Sequence, residues 1–489
     1  MKLSELLKDV EYKVLRGSID TEVKDIVYDS RKASKGTAFV CLTGAEADGH
    51  NYIESAVKLG CSVVIVEKEV EYIDGVTYIF IENTRKALSY LAQAIFDYPA
   101  KKLTMIALTG TKGKTTTAFM IKAILEVSGK KVGVIGTMGA FIGSEHIPTK
   151  NTTPESYDVQ KYLSMMVDAG MEYAVMEVSS QALKVGRTEG LHFDYSIFTN
   201  LSPDHIGENE HADFEEYVYC KSLLFRQSIH GVFNMDDKQY EAMIKEATCD
   251  VHTYGFSDKA DLHCRDVSYR VEPGFIGIDF IVEGIRKFEF KVNTPGKFSA
   301  YNAMSAILLT SLLGVSFEDM QRALYHFAVR GRVEPVKVSD RYTVLIDYAH
   351  NAMSMESLLT TIKDYNPKRI VSLFGCGGNR SKLRRFEMGE ISGKLADLSV
   401  LTADNSRYED VLDIIEDIKT GINKTDGEYV VIPDRKEAIK YCIENAEDGD
   451  IILLLGKGHE DYQEINGERF PFDEREIISD IKKELEGKK

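Results

Sequence analysis

The sequence predicts an α/β protein of three domains. Short apolar runs typical of buried strands alternate with helical segments along most of the chain. A chain of 489 residues exceeds what one hydrophobic core usually supports, which favours about three domains. We expect a small α/β domain at residues 1–100, a central domain at 101–329 with a mostly parallel sheet and an antiparallel meander, and a Rossmann-like domain at 330–489.

Composition excludes several classes of partner. A formal charge of −17 argues against nucleic acid and anionic membranes, which usually require a basic face. The first residues lack the apolar core of a secretion signal and no apolar run is long enough to cross a bilayer, so we expect a cytoplasmic protein without membrane insertion. The seven cysteines lack the paired spacing of a zinc site, and we expect neither disulfides nor structural zinc.

The first domain is predicted to be a small α/β unit. We expect strands at residues 38–42, 62–66 and 77–81. We expect helices at residues 52–59 and 85–96. Polar loops at 29–31 and 43–50 lie between these elements and are suited to gripping a sugar or a diphosphate. Ordinary turn chemistry is the alternative for both loops.

A phosphate-binding turn is predicted at the start of the central domain. An apolar run over 105–109 precedes the turn, and a helix ending at Val127 follows it. Glycines let backbone N–H groups face an anion, the helix N-terminus favours negative charge, Lys114 reaches the outer phosphates, and Thr115 or Thr116 ligates Mg²⁺. The expected ligand is a nucleoside triphosphate. Leu108 stands where the common motif has its first glycine, so a chance glycine-rich turn is the alternative.

Polar side chains follow two other predicted strands of this domain. Glu177 ends one apolar run, and Asn200, Asp204 and His205 follow another. Because parallel strands end at the same edge of a sheet, a carboxylate and an imidazole there are placed to face the Mg²⁺ of the nucleotide. Surface positions or helix caps are the alternative.

One lysine is predicted to point inward. The helix at 214–225 has an apolar stripe that includes Phe214, Tyr217 and Leu224, and Lys221 occupies a position on that stripe. The side chain either snorkels to the surface or stays buried. A buried amine has a lowered pKa and is neutral enough to pair or to be chemically modified.

The remaining chain predicts a meander and a second ligand site. Alternation over 262–292 predicts antiparallel strands, and a helix carrying Asn302 follows. Expected strands of the last domain are 344–347, 370–374, 398–402, 429–432 and 451–455. Polar clusters at 347–350, 375–380, 404–407 and 456–460 follow four of them, as ligand sites in open α/β sheets do.

These segments together resemble the Mur ligase family. The segments that carry the resemblance span nearly the whole chain: 29–31, 109–116, 151–154, 176–180, 199–205, 347–350, 374–378 and 456–461. The resemblance implies an ATP-dependent amide ligase of peptidoglycan synthesis. Such an enzyme adds a diamino acid to UDP-N-acetylmuramoyl-L-alanyl-D-glutamate through an acyl phosphate, and we expect a monomer.

The resemblance also implies roles for individual residues. The first domain would hold UDP through Ser30, and the muramoyl dipeptide would be held by Thr152, Thr153, Ser179 and Arg187. ATP would be bound by Gly110, Thr111, Lys112, Gly113, Lys114, Thr115, Thr116, Asn302, Arg332 and Asp347. Catalysis would use Lys114, Glu177, His205 and Lys221, with Mg²⁺ at Thr115, Glu177, His205 and a carbamate on Lys221.

The incoming amino acid is predicted from one further set of residues. The set that matches the family's amino-acid pocket is Arg380, Asp404, Asn405, Arg407, Gly456 and Glu460. Arg407 suits a two-pronged bond with the distal carboxylate of meso-diaminopimelate. A lysine substrate has no distal carboxylate. Ser406 replaces the proline of the family's pattern, and lysine or ornithine stays an alternative. A folylpolyglutamate-synthase-like ligase and a non-catalytic nucleotide-binding relative are the other two readings.

Overall fold

The computed structural model describes residues 1–44, 47–204, 206–207, 210–272 and 275–486. The chain forms two compact units, Met1–His263 with Met304–Met320, and Cys264–Ala303 with Gln321–Lys489. The described sheets and helices confirm the α/β class. The domain boundaries at residues 100 and 329 stay a prediction.

The amino-terminal sheet has the order β1-β5-β4-β3-β2 and is parallel except for β1. Its strands are β1 Lys13–Arg16, β2 Asp25–Val27, β3 Thr37–Val40, β4 Val63–Val66 and β5 Thr77–Phe80. Its helices are α1 Leu3–Leu6, α2 Ile53–Lys58 and α3 Thr84–Ile95, with short 3₁₀ turns at Ser30–Lys32, Gly49–Tyr52 and Pro99–Lys102. Apolar side chains cover both faces of the sheet. Because its inner strands are buried on both sides, their sequences are continuous apolar runs without polar alternation.

The middle sheet of the first unit is parallel over its central strands, in the order β13-β12-β11-β6-β10-β7, and ends in an antiparallel hairpin. Its strands are β6 Thr104–Thr109, β7 Val132–Gly136, β8 Gly139–Ile142, β9 Glu145–Ile147, β10 Tyr173–Glu177, β11 Phe193–Phe198, β12 Ser228–Asn234 and β13 Asp250–Gly255. Its helices are α4 Lys114–Val127, α5 Ser156–Asp168, α6 Ser180–Lys184, α7 Phe214–Ser222 and α8 Tyr240–Lys245, with a 3₁₀ turn at Leu223–Arg226. Strands β6, β10 and β11 lie side by side, so their carboxyl ends share one edge.

Two reciprocal tyrosine–aspartate pairs join the amino-terminal sheet region to the middle one. The Tyr28 hydroxyl donates to Asp158 at 2.6 Å, and the Tyr157 hydroxyl donates to Asp25 at 2.9 Å. The two tyrosine rings lie edge to face with centroids 6.3 Å apart. Each half therefore supplies one donor and one acceptor, which fixes how the two regions of this unit meet.

The second unit contains the predicted meander and the last sheet. Strand β14 Leu262–Glu272 leads into β15 Phe275–Gly284 and β16 Phe288–Val292, and β15 and β16 are antiparallel. Helices α9 Lys297–Leu312 and α10 Phe317–Tyr325 follow in the chain.

The last sheet has the order β17-β18-β22-β19-β20-β21 and is parallel except for β17. The strands of this region are β17 Glu334–Val336, β18 Thr343–Asp347, β19 Arg369–Phe374, β20 Leu398–Leu401, β21 Glu428–Val431, β22 Asp450–Leu455, β23 Tyr462–Ile465 and β24 Glu468–Pro471. Its helices are α11 Ala352–Lys363, α12 Lys382–Leu395, α13 Val411–Ile422, α14 Arg435–Glu444 and α15 Glu474–Glu486. Apolar clusters cover both faces of the sheet, as the doubly wound prediction requires.

The sequence did not predict every element. Strands β12 and β13 and the hairpins β8–β9 and β23–β24 are findings of the structure. In the part of the chain that the structure describes, no helix combines the length and the apolar composition needed to cross a membrane.

Candidate active site

The phosphate loop is a tight turn between β6 and α4 whose shape requires glycine. Gly110 has a φ of +146°, and a Cβ there would lie 2.0 Å from the Thr199 hydroxyl oxygen. Gly113 begins the helix with a φ of +86°. The backbone can therefore approach an anion at the positive end of a 14-residue helix.

Two lysines meet at the carbonyl oxygen of Gly110. The Lys114 ammonium donates to it at 2.8 Å and to the Thr111 carbonyl at 3.2 Å, and the Lys221 amine donates to the same Gly110 oxygen at 2.9 Å. Lys221 also lies 4.8 Å from the centroid of the Tyr217 ring. The predicted inward lysine is confirmed, and the snorkelling alternative is wrong because Lys221 is only 2% exposed.

Burial and a neighbouring cation affect the charge of Lys221. Burial, and then the neighbouring Lys114 cation, hold the pKa of the Lys221 amine well below its usual value, while Asp204 acts in the opposite direction. Burial also lowers the pKa of Lys114, although Glu177 and Asp204 oppose that effect. Lys221 therefore loses its proton more readily than an exposed lysine does, and the neutral amine is the nucleophilic form.

Glu177 lies at the end of β10, one strand away from the loop. Its carboxylate is 1% exposed and accepts hydrogen bonds from the Thr115 hydroxyl at 2.9 and 3.0 Å and from Thr137, through its backbone N–H at 3.1 Å and its hydroxyl at 3.2 Å. A Cβ on Gly136 would lie 2.2 Å from one carboxylate oxygen, so the glycine makes room for it. A hydroxyl and a carboxylate this close offer the hard oxygen ligands that Mg²⁺ takes. His205, the third predicted ligand, lies outside the described residues.

The residues predicted to hold the dipeptide surround Glu177. The Thr153 hydroxyl donates to the Glu177 carbonyl at 2.9 Å and accepts from the Ser179 N–H at 2.9 Å. The Arg187 guanidinium donates to the Thr153 carbonyl at 3.0 Å, and the Thr152 and Thr137 hydroxyls are 3.0 Å apart. The four residues named from the sequence for this role thus lie in one contiguous network beside the phosphate loop.

The amino-terminal loop that contains Ser30 borders a cavity of about 950 Å³. The charged and hydroxyl-bearing residues of its wall include Ser30, Arg31, Lys32, Arg85, Lys150 and Glu155. Asp29 of the wall pairs with Arg31 and Glu155 pairs with Arg85, which leaves Lys32 and Lys150 as an excess of positive charge that favours an anionic ligand. Glu155 accepts from Arg85 at 3.0 Å and from Arg187 at 2.8 Å, which connects this cavity to the residues around Glu177.

Three further residues predicted to bind ATP lie in the second unit. Asp347, at the end of β18, accepts the backbone N–H groups of Val333 and Ala349 at 2.7 Å each. Burial raises the pKa of Asp347, and the two N–H groups and Arg332 partly offset that effect. The Arg332 guanidinium lies over the Tyr348 ring at 5.3 Å, and Asn302 is buried on α9. Their assignment to ATP stays a prediction.

The predicted amino-acid residues form a hydrogen-bonded cluster at the ends of β20 and β22. Lys457, which is fully buried, donates to Asn405 at 3.1 Å and to Glu460 at 3.0 Å and lies 3.6 Å from Asp404. Asn405 donates to the same Glu460 oxygen at 2.9 Å. Gly456 has a φ of +107°, and a Cβ on it would come within 2.9 Å of the Asp404 carboxylate. The buried Lys457 cation therefore pairs with both Asp404 and Glu460 and holds the two carboxylates in fixed positions.

Arg407 and Arg380 supply positive charge beside this cluster. The Arg407 guanidinium donates to the Gly378 carbonyl at 2.7 Å and to Glu464 at 3.2 Å, and Arg407 has a φ of +52°. Arg380 is exposed. The two arginines flank the glycine turn after β19, since a Cβ on Gly377 would lie 3.4 Å from Arg407 and 3.8 Å from Arg380.

Four residues of these sites were not predicted from the sequence. Thr137 and Tyr217 contact Glu177 and Lys221 from elements whose patterns signal only packing. Lys457 lies within the segment 456–461, where a lysine between two glycines was the available signal. Glu464 lies on a hairpin that the sequence did not predict, and no local pattern marks it.

Family models match three consecutive segments of the chain. They are described as the Mur ligase family catalytic domain at residues 22–96, the Mur ligase middle domain at 108–310, and the Mur ligase glutamate ligase domain at 331–458. The phosphate loop, Glu177 and Lys221 fall within the second match, and the 404–407 cluster falls within the third.

Curated relatives match at full length. A protein from Caldanaerobacter subterraneus subsp. tengcongensis is 41% identical over 488 residues, which cover 99% of this chain and 100% of the relative. One from Clostridium perfringens is 39% identical over 497 residues, with all of both chains covered. Both are named UDP-N-acetylmuramoyl-L-alanyl-D-glutamate–2,6-diaminopimelate ligase.

Solved structures agree on the fold. A structure of a UDP-N-acetylmuramoyl-L-alanyl-D-glutamate–2,6-diaminopimelate ligase is similar with a TM-score of 0.75, 28% identity and 99% coverage of both chains. The MurF ligase from Thermotoga maritima in complex with ADP shares the fold with a TM-score of 0.59, 17% identity and coverage of 96% of this chain and 99% of that one. With three successive family matches and full-length relatives near 40% identity, this chain belongs to the Mur ligase family.

Proposed function

We propose that this protein is an ATP-dependent ligase that joins meso-diaminopimelate to UDP-N-acetylmuramoyl-L-alanyl-D-glutamate. The observation that carries the proposal is the arrangement after β6, where Lys114 and Lys221 both donate to the Gly110 carbonyl and the adjacent Thr115 donates to Glu177. The full-length relatives that carry this activity in their names support the choice of substrates.

In the first step the terminal carboxylate of the dipeptide attacks the γ-phosphorus of ATP. An O–P bond forms, the bond to the β-phosphate oxygen breaks, and an acyl phosphate and ADP result. The loop N–H groups and the Lys114 ammonium stabilise charge on the phosphoryl oxygens, so positioning and electrostatics supply most of the rate. Thr115 and Glu177 would hold Mg²⁺, which neutralises phosphate charge.

In the second step the amine of diaminopimelate attacks the acyl carbon. A C–N bond forms, the C–O bond to phosphate breaks, and the amine loses a proton, which leaves an amide and inorganic phosphate. Thr153, Ser179 and Arg187 are placed beside Glu177 to orient the dipeptide for both steps. Their hydrogen bonds to one another and to the Glu177 carbonyl limit the movement of these residues before the dipeptide binds.

Lys221 is proposed to carry a carbamate. Its neutral amine adds to CO₂, with a new N–C bond and release of one proton, and the product is an anion. The lowered pKa of Lys221 supports this reaction, because the amine must lose its proton before it attacks. An anion here would also attract the Lys114 ammonium, which donates to the same Gly110 carbonyl as Lys221.

The choice of diaminopimelate rests on Arg407 together with Asp404 and Glu460. A guanidinium and carboxylates in one cluster match the distal carboxylate and the distal ammonium of that molecule. L-Lysine and ornithine offer only the ammonium, and they are the alternatives. A monomeric state stays a prediction.

Release of phosphate tests the proposal. We expect release only when ATP, Mg²⁺, UDP-N-acetylmuramoyl-L-alanyl-D-glutamate and diaminopimelate are all present, with lower rates when lysine or ornithine replaces diaminopimelate at equal concentration. If none of diaminopimelate, lysine and ornithine increases the release of phosphate, ligase activity is contradicted. Faster release with lysine or ornithine would contradict only the amino-acid assignment.

A further inference from the structure

The hairpin β23–β24 is a separate two-stranded element. It forms its own sheet. In the described residues, one isolated β-bridge, between Ile465 and Arg407, links it to the rest of the chain. A lone two-stranded hairpin is marginally stable in water. Its contacts with the 404–407 loop, defined as residues 404–407 after β20, therefore help to hold the two segments in place.

Residues of the hairpin clamp this loop through four hydrogen bonds. The Arg407 N–H donates to the Glu464 carbonyl at 3.0 Å, and the Asn466 N–H donates to the Arg407 carbonyl at 2.5 Å. The Glu464 N–H donates to the Asn405 side-chain oxygen at 2.9 Å, and the Gln463 amide donates to the Asp404 carbonyl at 3.4 Å. Left-handed backbone at Arg407 costs a bulky residue about 1 kcal/mol, and these bonds hold it there.

Glu464 also fixes the guanidinium of Arg407. Its carboxylate accepts from Arg407 Nε at 3.2 Å, while one terminal nitrogen of Arg407 donates to the Gly378 carbonyl at 2.7 Å. Each side chain of the pair is 23% exposed. A guanidinium has five N–H donors, so these two bonds set its plane and leave three donors for a ligand.

We propose that Glu464 is a positioning residue that orients Arg407 toward the distal carboxylate of the diamino acid and so contributes to the choice of substrate. The inference rests on the proposed function, since it needs the 404–407 loop to bind the amino acid. Bidentate recognition of a carboxylate depends on the angle of the guanidinium plane. Lysine has no distal carboxylate, so the orientation of Arg407 gives it no advantage, and loss of Glu464 penalises diaminopimelate selectively.

Steady-state kinetics of Glu464→Ala and Glu464→Gln in the full chain test the inference. We expect Glu464→Ala to raise KM for diaminopimelate about tenfold, the effect of one charge-assisted hydrogen bond. Glu464→Gln keeps an acceptor oxygen and should show a smaller rise. The kcat and the KM for ATP should stay within about twofold, and the preference for diaminopimelate over lysine should fall. Glu468→Gln, at an exposed position of the same hairpin, is the matched control.

Several outcomes would overturn the inference. An unchanged KM for diaminopimelate in both variants would do so. Equal rises in the KM for ATP and in the KM for diaminopimelate would also do so, as would equal losses of kcat/KM with lysine and with diaminopimelate. If Glu464→Ala does not fold, as judged by its thermal transition, Glu464→Gln decides alone. A wild-type protein that is inactive with diaminopimelate contradicts the proposed function, and the inference falls with it. If the wild-type protein uses diaminopimelate and neither Glu464 variant changes the KM for it, the proposed function stands and only the inference is contradicted.

Discussion

The phosphate loop and the amino-acid cluster are built in opposite ways. In the loop, the two lysines are held by a backbone carbonyl that the turn itself supplies. In the cluster, Lys457, Asn405 and Glu460 hold one another through side chains, and Arg407 depends on a separate hairpin. A site fixed by backbone tolerates changes in its surroundings, whereas a site fixed by side chains depends on each partner. The first should therefore respond mainly to changes in its own residues, and the second should also respond to substitutions around it.

The largest expected effect is that of Lys114→Ala. Its ammonium is the charge proposed to stabilise the transferring phosphoryl group, so kcat should fall about 10³-fold. Phosphate release under saturating substrates measures it, with Lys122→Ala on the same helix as the control, since Lys122 pairs with Glu126 on the helix surface. Wild-type turnover in Lys114→Ala would remove the assignment of the phosphate loop.

The next effect is that of Lys221→Ala, which removes the anion proposed for the carbamate. We expect a fall in kcat of about 10²-fold, because loss of one preorganised charge typically costs that much. Added short carboxylic acids should restore part of the activity by occupying the space of the missing carbamate. The exposed Lys245 provides a control as Lys245→Ala. No rescue at any acid concentration would count against the carbamate.

Arg407→Ala separates the two sites. We expect KM for diaminopimelate to rise about 10²-fold, since a two-pronged ion pair is lost, while KM for ATP stays within about twofold. Arg341→Ala, which removes an exposed ion pair with Asp448 in the same unit, is the control. Equal changes in both KM values would show that Arg407 acts on structure and not on recognition.

The smallest effect concerns stability around the cluster. Arg385, which is buried, donates to the Glu409 carboxylate at 2.8 and 2.9 Å and lowers the pKa of Glu409 to about 2. Because the folded pKa is below the ordinary value of 4.5, this pair stabilises the fold above pH 4.5 and loses its effect as pH falls toward 2. Glu409→Gln should lower stability by about 2 kcal/mol at pH 7.

Thermal unfolding of the wild type and of Glu409→Gln between pH 7 and pH 3 tests whether the stabilisation by the Arg385–Glu409 pair falls as the pH falls. The difference between wild type and Glu409→Gln should shrink steadily below pH 4.5. Glu416→Gln, which removes an exposed helix pair with Lys419, should show little difference at any pH. A constant difference across the range would contradict the role assigned to Glu409.

The same contrast explains what the sequence could predict. Gly110, Gly113 and Lys114 occupy a short segment whose conformation follows from local sterics, so the loop was predicted and its geometry is confirmed. Helical periodicity placed Lys221 on the apolar stripe but left snorkelling open, and only its burial in the structure decides between the two. The pairing of two lysines on one carbonyl did not, since 107 positions separate them in the chain.

Residues that act from remote segments were harder to predict. Glu464 reaches Arg407 from a hairpin 57 positions away. The strands of this hairpin are short, contain no fully buried residue and show no apolar alternation. Thr137 contributes a backbone N–H to Glu177, a role that almost any residue type could fill. Long-range pairing and backbone donors leave no local pattern, which is why these parts came only from the structure.

The central claim is that ATP activates the carboxylate of the dipeptide before the amine attacks. Turnover with a dipeptide substrate whose terminal carboxylate carries ¹⁸O in both positions tests it most directly, with the released phosphate analysed by mass spectrometry. The account predicts one ¹⁸O atom in each phosphate, because the oxygen that bridges carbon and phosphorus leaves with phosphorus. Phosphate without ¹⁸O, released at the rate of amide formation, would contradict it.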